Sequence, residues 1–398
     1  MKTAIVGAGA SGVIAALSCK SKEIILIDGN NKSLKKILLT GNGRCNYWNE
    51  YIDADKYNTD NYDILQKIIS KENINKTYEF LYKLGIYPKI KNNNYYPYSN
   101  QASSVRQILE KNLTKKNIKF INNFKVNNIY KINDEFIIES TNNEKIKCDK
   151  LILATGSKAY PKTGSDGSGY ELLKKFNLKI NPVTPALTKL FTKEKYLWEN
   201  VRSDVNIKLF VNNKFIKEEY GEVQLTMDAI SGICTFNLSS IASKSLYLKK
   251  NVYVKIDFLP NIPNIIQFLD DRQKIINGNI EEILESIFNY KLMFVLLKYS
   301  NINKEKRWDD LSLIEKNILS KNIKEFKLNI ICTDTFDKSQ VCTGGLSLNY
   351  INPKNMSVND VNGLYVVGEI LDVDGMCGGF NLAFAFITGY LAGSDIND

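Results

Sequence analysis

Apolar and polar positions alternate in distinct rhythms along this chain. Lys2 to Val6 is a short apolar run ending in glycines, the pattern of a buried strand. Ser11 to Lys20 is rich in Ala and Leu, with no breaker after Gly12, and predicts a helix. Ile24 to Ile27 is a second apolar run, closed by Asp28. Strand, helix and strand make a βαβ unit, and a parallel sheet follows from it. Tyr47 to Asp63 is polar and aperiodic and predicts a loop. Ser103 to Leu113 places Val105, Ile108, Leu109 and Leu113 on one helical face. Val126–Ile132 and Glu135–Glu139, joined through Asn133-Asp134, predict a hairpin. Leu151 to Ala154 predicts another buried strand running into Thr155-Gly156.

The rhythm changes after Pro182 and Pro185. Short alternating strands are expected at Val205–Val211, Lys214–Lys217, Glu222–Thr226 and Val252–Phe258, and a helical pattern from Ile265 to Ser320. Glycine-rich turns, a strand at Leu364–Val367, a glycine-rich loop and a final helix around Asn381–Leu391 follow. The pattern predicts an α/β protein: a nucleotide-binding sheet interrupted by an inserted β-rich and helical segment, with the C-terminus returning to the sheet. A chain of 398 residues is long enough for two or three domains. The apolar stretch from Met1 to Cys19 is broken at Gly7, Gly9 and Gly12, so it does not read as a signal peptide. No run of about twenty apolar residues predicts a membrane span.

Charge and composition narrow the chemistry. The formal net charge is +10. The lysines are interleaved with Asn, Ile, Asp and Glu, and Lys111 to Lys119 reads as the solvated end of one helix. A lysine-rich surface is therefore expected, and no nucleic-acid partner. The seven cysteines have long spacings and no C-x-x-C pair. That argues against a disulfide framework and a thiolate zinc site, and fits a reducing cytosol. The chain has no histidine. Imidazole bases, Ser-His-Asp systems and His-ligated zinc are excluded together. Chemistry must come from carboxylates, Tyr, Lys, Cys or a cofactor, and no metal is expected.

A cofactor motif is present. Gly7-Ala8-Gly9-Ala10-Ser11-Gly12 is a G-x-G-x-x-G between a predicted strand and helix. Gly7 permits a tight turn, Gly9 a close backbone approach to pyrophosphate, and Gly12 close packing of helix on strand. Asp28, twenty-one positions after Gly7, ends the second strand where a ribose hydroxyl is held. The motif alone does not separate FAD from NAD. Three further segments point to the longer cofactor. Thr40-Gly41-Asn42-Gly43-Arg44-Cys45-Asn46 is a turn-prone loop with one fixed cation. Ala154-Thr155-Gly156 ends a strand in small residues. Gly368-Glu369 ends another, ahead of Asp374 to Asn381 and a terminal helix whose N-terminus can stabilise charge on a reduced flavin ring. No second G-x-G-x-x-G follows a strand, so a dedicated nicotinamide domain is not expected. NAD(P)H would dock transiently, or dioxygen would reoxidise the flavin. An RNA-modifying flavoprotein would need a contiguous basic face with aromatics, and the lysines are dispersed.

These residues resemble a bacterial flavoprotein family that includes aminoacetone oxidase-like and dehydro-bile-acid reductase-like enzymes. The resemblance runs from Lys36-Ile37-Leu38 through the Thr40–Asn46 loop and Tyr96-Pro97-Tyr98-Ser99. It continues through Ala154-Thr155-Gly156, Tyr160-Pro161-Lys162-Thr163-Gly164-Ser165 and Gly167-Ser168-Gly169-Tyr170, then Pro185-Ala186-Leu187 and Thr343-Gly344-Gly345. It ends with Gly368 to Gly375 and Gly379-Phe380-Asn381-Leu382. It implies a Rossmann-type FAD domain from 1–188 and 342–398, a β-barrel-like insertion at 189–260 and 323–341, and a small helical domain at 261–322. It also implies cofactor contacts from Gly29, Lys36, Val126, Phe380, Asn381 and Leu382 beside the motif residues above. The implied activity is hydride transfer between flavin N5 and a small organic substrate held between the FAD and inserted domains. Tyr160, Asp372 and Asp374 are the candidate proton handlers. The chain departs from the family at Thr226-Met227-Asp228-Ala229-Ile230-Ser231-Gly232 and at Asn177-Leu178, where relatives carry histidine. Any imidazole chemistry of relatives is not carried over.

Overall fold

A computed structural model describes residues 1–397. The chain divides into two compact units, Met1–Thr184 with Phe336–Asp398, and Pro185–Thr335.

The first unit is built on a five-stranded sheet in the order 364–366, 150–153, 2–6, 23–27, 119–121. All four pairings are parallel. Such a sheet is covered on both faces, which explains why its strands are continuous Ile, Leu, Val and Ala runs rather than alternating ones. Ile5, Leu26, Ile152 and Val366 are fully buried. Against it lie the helix Ala10–Ser18 and the C-terminal helix Phe380–Asp395. These two helices approach backbone to backbone. A Cβ on Gly389 would come within 2.3 Å of the Ser11 carbonyl oxygen, and one on Gly393 within 2.3 Å of that of Ala15.

Two expectations change in this unit. The stretch 47–63 is more ordered than a loop: Trp48–Asn49 and Tyr57–Asn58 are short strands, and Tyr47 and Trp48 are buried. Tyrosines and asparagines hid a packed segment. The helix Ala102–Lys115 ends before Lys116, whose ammonium is not simply solvated. It donates to the carbonyls of Ala16 (3.2 Å), Leu17 (2.6 Å) and Cys19, the C-terminal end of the first helix. A cation there answers the unpaired carbonyls.

The second unit is a closed six-stranded antiparallel barrel in the order 190–192, 229–231, 214–225, 201–211, 252–257, 326–333. The two expected strands at 214–217 and 222–226 are one strand, Lys214–Leu225, paired along its length with Val201–Val211. The polar residues between them alternate in exposure like the rest, so the polarity marks an outer face rather than a break. The helix Ile233–Tyr247 had no clear signal. Its buried hydroxyls donate to carbonyls three or four residues back, Thr235 to Ser231 at 3.2 Å and Ser239 to Phe236 at 2.7 Å. The helices between 265 and 324 contribute Leu269, Ile283, Leu296, Trp308 and Leu319 to the same core as the barrel residues Ile207, Leu225 and Val254. Among the described residues, no helix is long and apolar enough to cross a membrane.

Candidate functional site

The sequence motifs converge at one edge of the first unit's sheet. Because its strands are parallel, Gly7, Asp28, Ala154-Thr155-Gly156 and Gly368 all follow carboxyl ends of strands. Strand 2–6 sits at the centre, with 23–27 on one side and 150–153 on the other. Crossovers leaving a strand in opposite directions open a crevice beyond its end.

The three motif glycines have different jobs. Gly7 has φ +106°, a Cβ there would lie 2.2 Å from the Ala154 carbonyl oxygen, and its N–H donates to Ile27 at 2.8 Å. A Cβ on Gly12 would lie 1.9 Å from the Gly7 carbonyl oxygen. Both are needed for the protein's own packing. A Cβ on Gly9 would meet nothing within 4 Å. Gly9 is the N-cap of the first helix, with no capping side chain and no acidic residue in the first turn. The N–H groups of Ala10, Ser11 and Gly12 thus stand at an open helix end, an arrangement that favours an anion.

Asp28 ties this loop down. One carboxylate oxygen accepts from the Ala8 N–H at 2.7 Å, and the other from the Asn30 N–H (2.7 Å) and amide (3.0 Å). The neighbouring Gly29 is exposed, and Val126 is buried at the start of the strand that follows Phe124, whose N–H donates to the Asp28 carbonyl.

On the other side of the central strand, Thr155 carries a buried hydroxyl with no partner. Gly156 has φ +73° and backs onto Ser165. Gly368 has φ +79°, and a Cβ there would lie 2.4 Å from the Ser11 hydroxyl. Glu369 is committed within the protein: Lys36 pairs with it at 2.7 Å, Ser157 donates at 2.8 Å and the Cys342 N–H at 3.3 Å. A cofactor hydroxyl would share this carboxylate with Lys36.

The Thr40–Asn46 loop is wound tightly. The Thr40 hydroxyl donates to Ile37 at 2.7 Å, and Gly41, Gly43 and Cys45 adopt positive φ. Arg44 donates to the Gly41 carbonyl at 3.2 Å. Cys45 is buried, and burial pushes its thiol up to about 12. It is a packing residue at neutral pH. Asn46 lies against Gly379, whose φ is +91°. Gly379 caps the terminal helix without a side-chain bond, and again no acid occupies the first turn. The Asn381 amide holds Gly375 by both its N–H and carbonyl at 2.8 Å, and the Tyr57 hydroxyl donates to the Phe380 carbonyl at 3.0 Å. Leu382 is half-buried in that first turn.

The candidate proton handlers differ in setting. Asp372 and Asp374 are almost fully buried, accepting from Asn181 at 2.7 Å and Asn58 at 2.9 Å. Tyr160 is half-buried in a left-handed conformation (φ +55°) and its N–H donates to Phe336 at 3.0 Å. The chemical reading missed Tyr170. Its hydroxyl is buried without a partner, and burial pushes it well above the usual phenol range, helped by Cys342, Glu369 and Asp372. An aromatic at a helix start reads as core, and only its place after Gly167 and Gly169 hinted otherwise.

Comparison with known proteins places this geometry. The HI0933-like protein Rossmann domain matches residues 1–395. The chain is 34% identical to the 3-dehydro-bile acid delta(4,6)-reductase of Clostridium scindens, over 98% of this chain and 97% of that protein. It is 25% identical to the ribosomal RNA dihydrouridine synthase of Escherichia coli, over 98% and 97%. Among solved structures, the open conformation of a flavocytochrome c3 fumarate reductase aligns over 99% of this chain and 78% of that one, at 14% identity and a TM-score of 0.51. At that identity the likeness is one of fold.

Proposed function

The chain belongs to the HI0933-like Rossmann family, and on that premise we propose that it is an FAD-dependent oxidoreductase reducing a carbon–carbon double bond conjugated to a carbonyl in a small organic molecule. One observation carries the cofactor assignment: two helices with open, uncapped N-termini, at Gly9 and Gly379, serve a single parallel sheet. Two such ends suit a cofactor with a diphosphate and a ring that becomes anionic on reduction.

In this reading the N–H groups of Gly9 to Gly12 hold the pyrophosphate, and Asp28 the adenosine ribose, with Gly29 and Val126 bordering the adenine. The orphaned Thr155 hydroxyl and the small residues Ala154 and Gly156 receive the middle of the cofactor, as do Lys36, Gly368 and Glu369. Thr40 to Asn46 and Gly379 to Leu382 border the flavin ring. When bound, the flavin supplies the hydride chemistry. The chain's own part is to orient the substrate, keep water out and deliver one proton for each hydride transferred. Tyr160, Asp372 and Asp374 are assigned to the proton, with transiently docked NAD(P)H as the electron source.

The substrate class follows from the names of the relatives. A delta(4,6)-reductase of a 3-dehydro bile acid acts on double bonds conjugated to a ketone, and making dihydrouridine saturates a ring double bond conjugated to a carbonyl. The first, more similar relative favours a small molecule. The decisive experiment is anaerobic stopped-flow absorbance of the purified yellow protein. NADH or NADPH should bleach the flavin band, and a 3-oxo-4,6-diene steroid should restore it. Reoxidation by dioxygen alone would turn the reading into an oxidase. Protein that is colourless and takes up no added FAD would overturn it.

A further inference from the structure

The short helix Ser168–Lys174 carries one side chain whose polar end the fold leaves unbonded. Tyr170 belongs to the sheet unit's core and is 3% exposed, and its hydroxyl has no hydrogen-bond partner among the described residues. Other buried phenols of this unit find acceptors. Tyr57 donates to the Phe380 carbonyl at 3.0 Å, and Tyr365 to the Asp395 carboxylate at 3.0 Å. Tyr47 shares the lack of a partner, but the titratable groups near it are Cys45 and the phenols Tyr78 and Tyr95. Tyr170 instead sits where the charges of Glu369 and Asp372 reach it, and burial together with Cys342 and those acids holds its phenol well above the usual range. It therefore stays protonated: a standing donor, not a base.

Both carboxylates are turned to other donors. Glu369 accepts from Lys36 at 2.7 Å, Ser157 at 2.8 Å and the Cys342 N–H at 3.3 Å, and Asp372 accepts from Asn181 at 2.7 Å. A second unbonded hydroxyl lies alongside. A Cβ on Gly169, the residue before Tyr170, would come within 1.8 Å of the Thr155 hydroxyl, which is also buried and unpartnered. Buried donors are rarely left unmade, and each one left so opposes folding. Two of them flank residues 169 and 170, next to the Glu369 carboxylate, and together they describe a polar niche for a ligand.

The chemistry of the niche narrows what fills it. A phosphate oxygen would accept from Tyr170, but it would carry negative charge towards Glu369 and Asp372. A ring carbonyl accepts but offers nothing to a carboxylate. An alcohol does both, giving its O–H to an acid while a lone pair receives the phenol. We propose that Tyr170 is a cofactor-binding residue that donates to a ribityl hydroxyl of FAD, the same hydroxyl donating to Glu369, with Thr155 bonding along the same chain. This rests on the flavin reading above and adds to it one residue and one subsite.

The test is titration of flavin-stripped parent and Tyr170→Phe with FAD, together with calorimetry of both flavin-free proteins. Phenylalanine keeps the ring and removes only the oxygen, so flavin-free Y170F should melt no lower than the parent. Its FAD affinity should fall about fivefold or more, because a buried acceptor loses its donor. FAD analogues that each lack one ribityl hydroxyl identify the partner. Parent and Y170F should bind one of them equally well, since that bond is then missing from both. Equal FAD affinity in parent and Y170F would overturn the proposal and leave the flavin reading standing. A lower melting temperature of flavin-free Y170F would show that the hydroxyl is already bonded within the fold, and would overturn it as well. So would a loss that persists with every analogue, which would place the phenol against another part of the cofactor. A parent that takes up no FAD would overturn the flavin reading itself, and this role with it.

Discussion

Side-chain caps on helix starts are concentrated in the barrel unit and scarce in the sheet unit, where Ser70 caps the helix 71–83. In the barrel unit most helices satisfy their own first N–H groups; the helix 233–247, which begins after Gly232 without a side-chain cap, is the exception. Asn264 caps 265–276, and capping boxes close 280–284 (Asn279 with Glu282) and 313–324 (Ser312 with Glu315). In the sheet unit, the helices beginning after Gly9 and Gly379 have neither a capping side chain nor a first-turn acid. The helices 102–115 and 233–247 also begin without a side-chain cap or a first-turn acid, so what singles out the ends at Gly9 and Gly379 is their place beside the glycine loops of the sheet unit. A side-chain cap is worth about 1 kcal/mol to a helix. Leaving two ends open makes sense where a ligand completes them.

The strongest way to break this contrast is to destroy the open end itself. Gly12→Val drives a branched side chain into the Gly7 carbonyl, which a Cβ alone would approach to 1.9 Å. Overpacking against backbone should cost about 3 kcal/mol or more, lowering the melting temperature by roughly 10 °C, with loss of bound flavin. Calorimetry and the visible spectrum read both effects. A yellow, normally melting G12V would contradict the packing role of Gly12.

Gly9→Asp sharpens the contrast, because the site has room: φ is −82° and nothing lies within 4 Å of a new Cβ. Aspartate is a good N-cap, so the apoprotein should fold unharmed, gaining at most a few tenths of a kcal/mol. Cofactor binding should fail, since two like charges about 4 Å apart repel by about 4 kcal/mol near a protein surface. At least a hundredfold loss of FAD affinity is expected by titration. Retained affinity would mean that no pyrophosphate sits at this helix end.

The contrast also explains what was readable beforehand. The glycine loops were legible because each glycine answers a constraint set within a few residues, and the acid at Asp28 follows from strand length. The barrel strands 201–211, 214–225 and 252–257 announced themselves by alternation, whereas 190–192, 229–231 and 326–333 did not. The Lys36–Glu369 pair did not: its partners are 333 positions apart, and only the fold brings them together. Asp372 and Asp374 were visible as acids, but not as buried acceptors for Asn181 and Asn58. The helix 233–247 was hidden because its hydroxyls bond locally.

The gentlest perturbation belongs to a self-capped helix of the barrel unit. Ser312→Ala removes a hydroxyl that accepts from the Glu315 N–H at 3.3 Å and donates to its carboxylate at 2.8 Å. About 1 kcal/mol of stability should be lost at pH 7, with FAD affinity untouched. The capping box also predicts how acid acts. The Ser312 N–H and hydroxyl, helped by Lys306, hold Glu315 at about 2, below its ordinary 4.5. A carboxyl depressed by folding stabilises the fold above its unfolded value, and this contribution disappears as pH falls from about 4.5 through 2. In S312A the hydroxyl, one of the three groups that favour the carboxylate, is lost, so less remains for acid to remove. Denaturant unfolding of both proteins at pH 7 and pH 3 should therefore show the gap between them narrowing in acid. A gap of constant size would mean that the box does not couple cap to carboxylate, and that the barrel helices depend on their apolar faces alone.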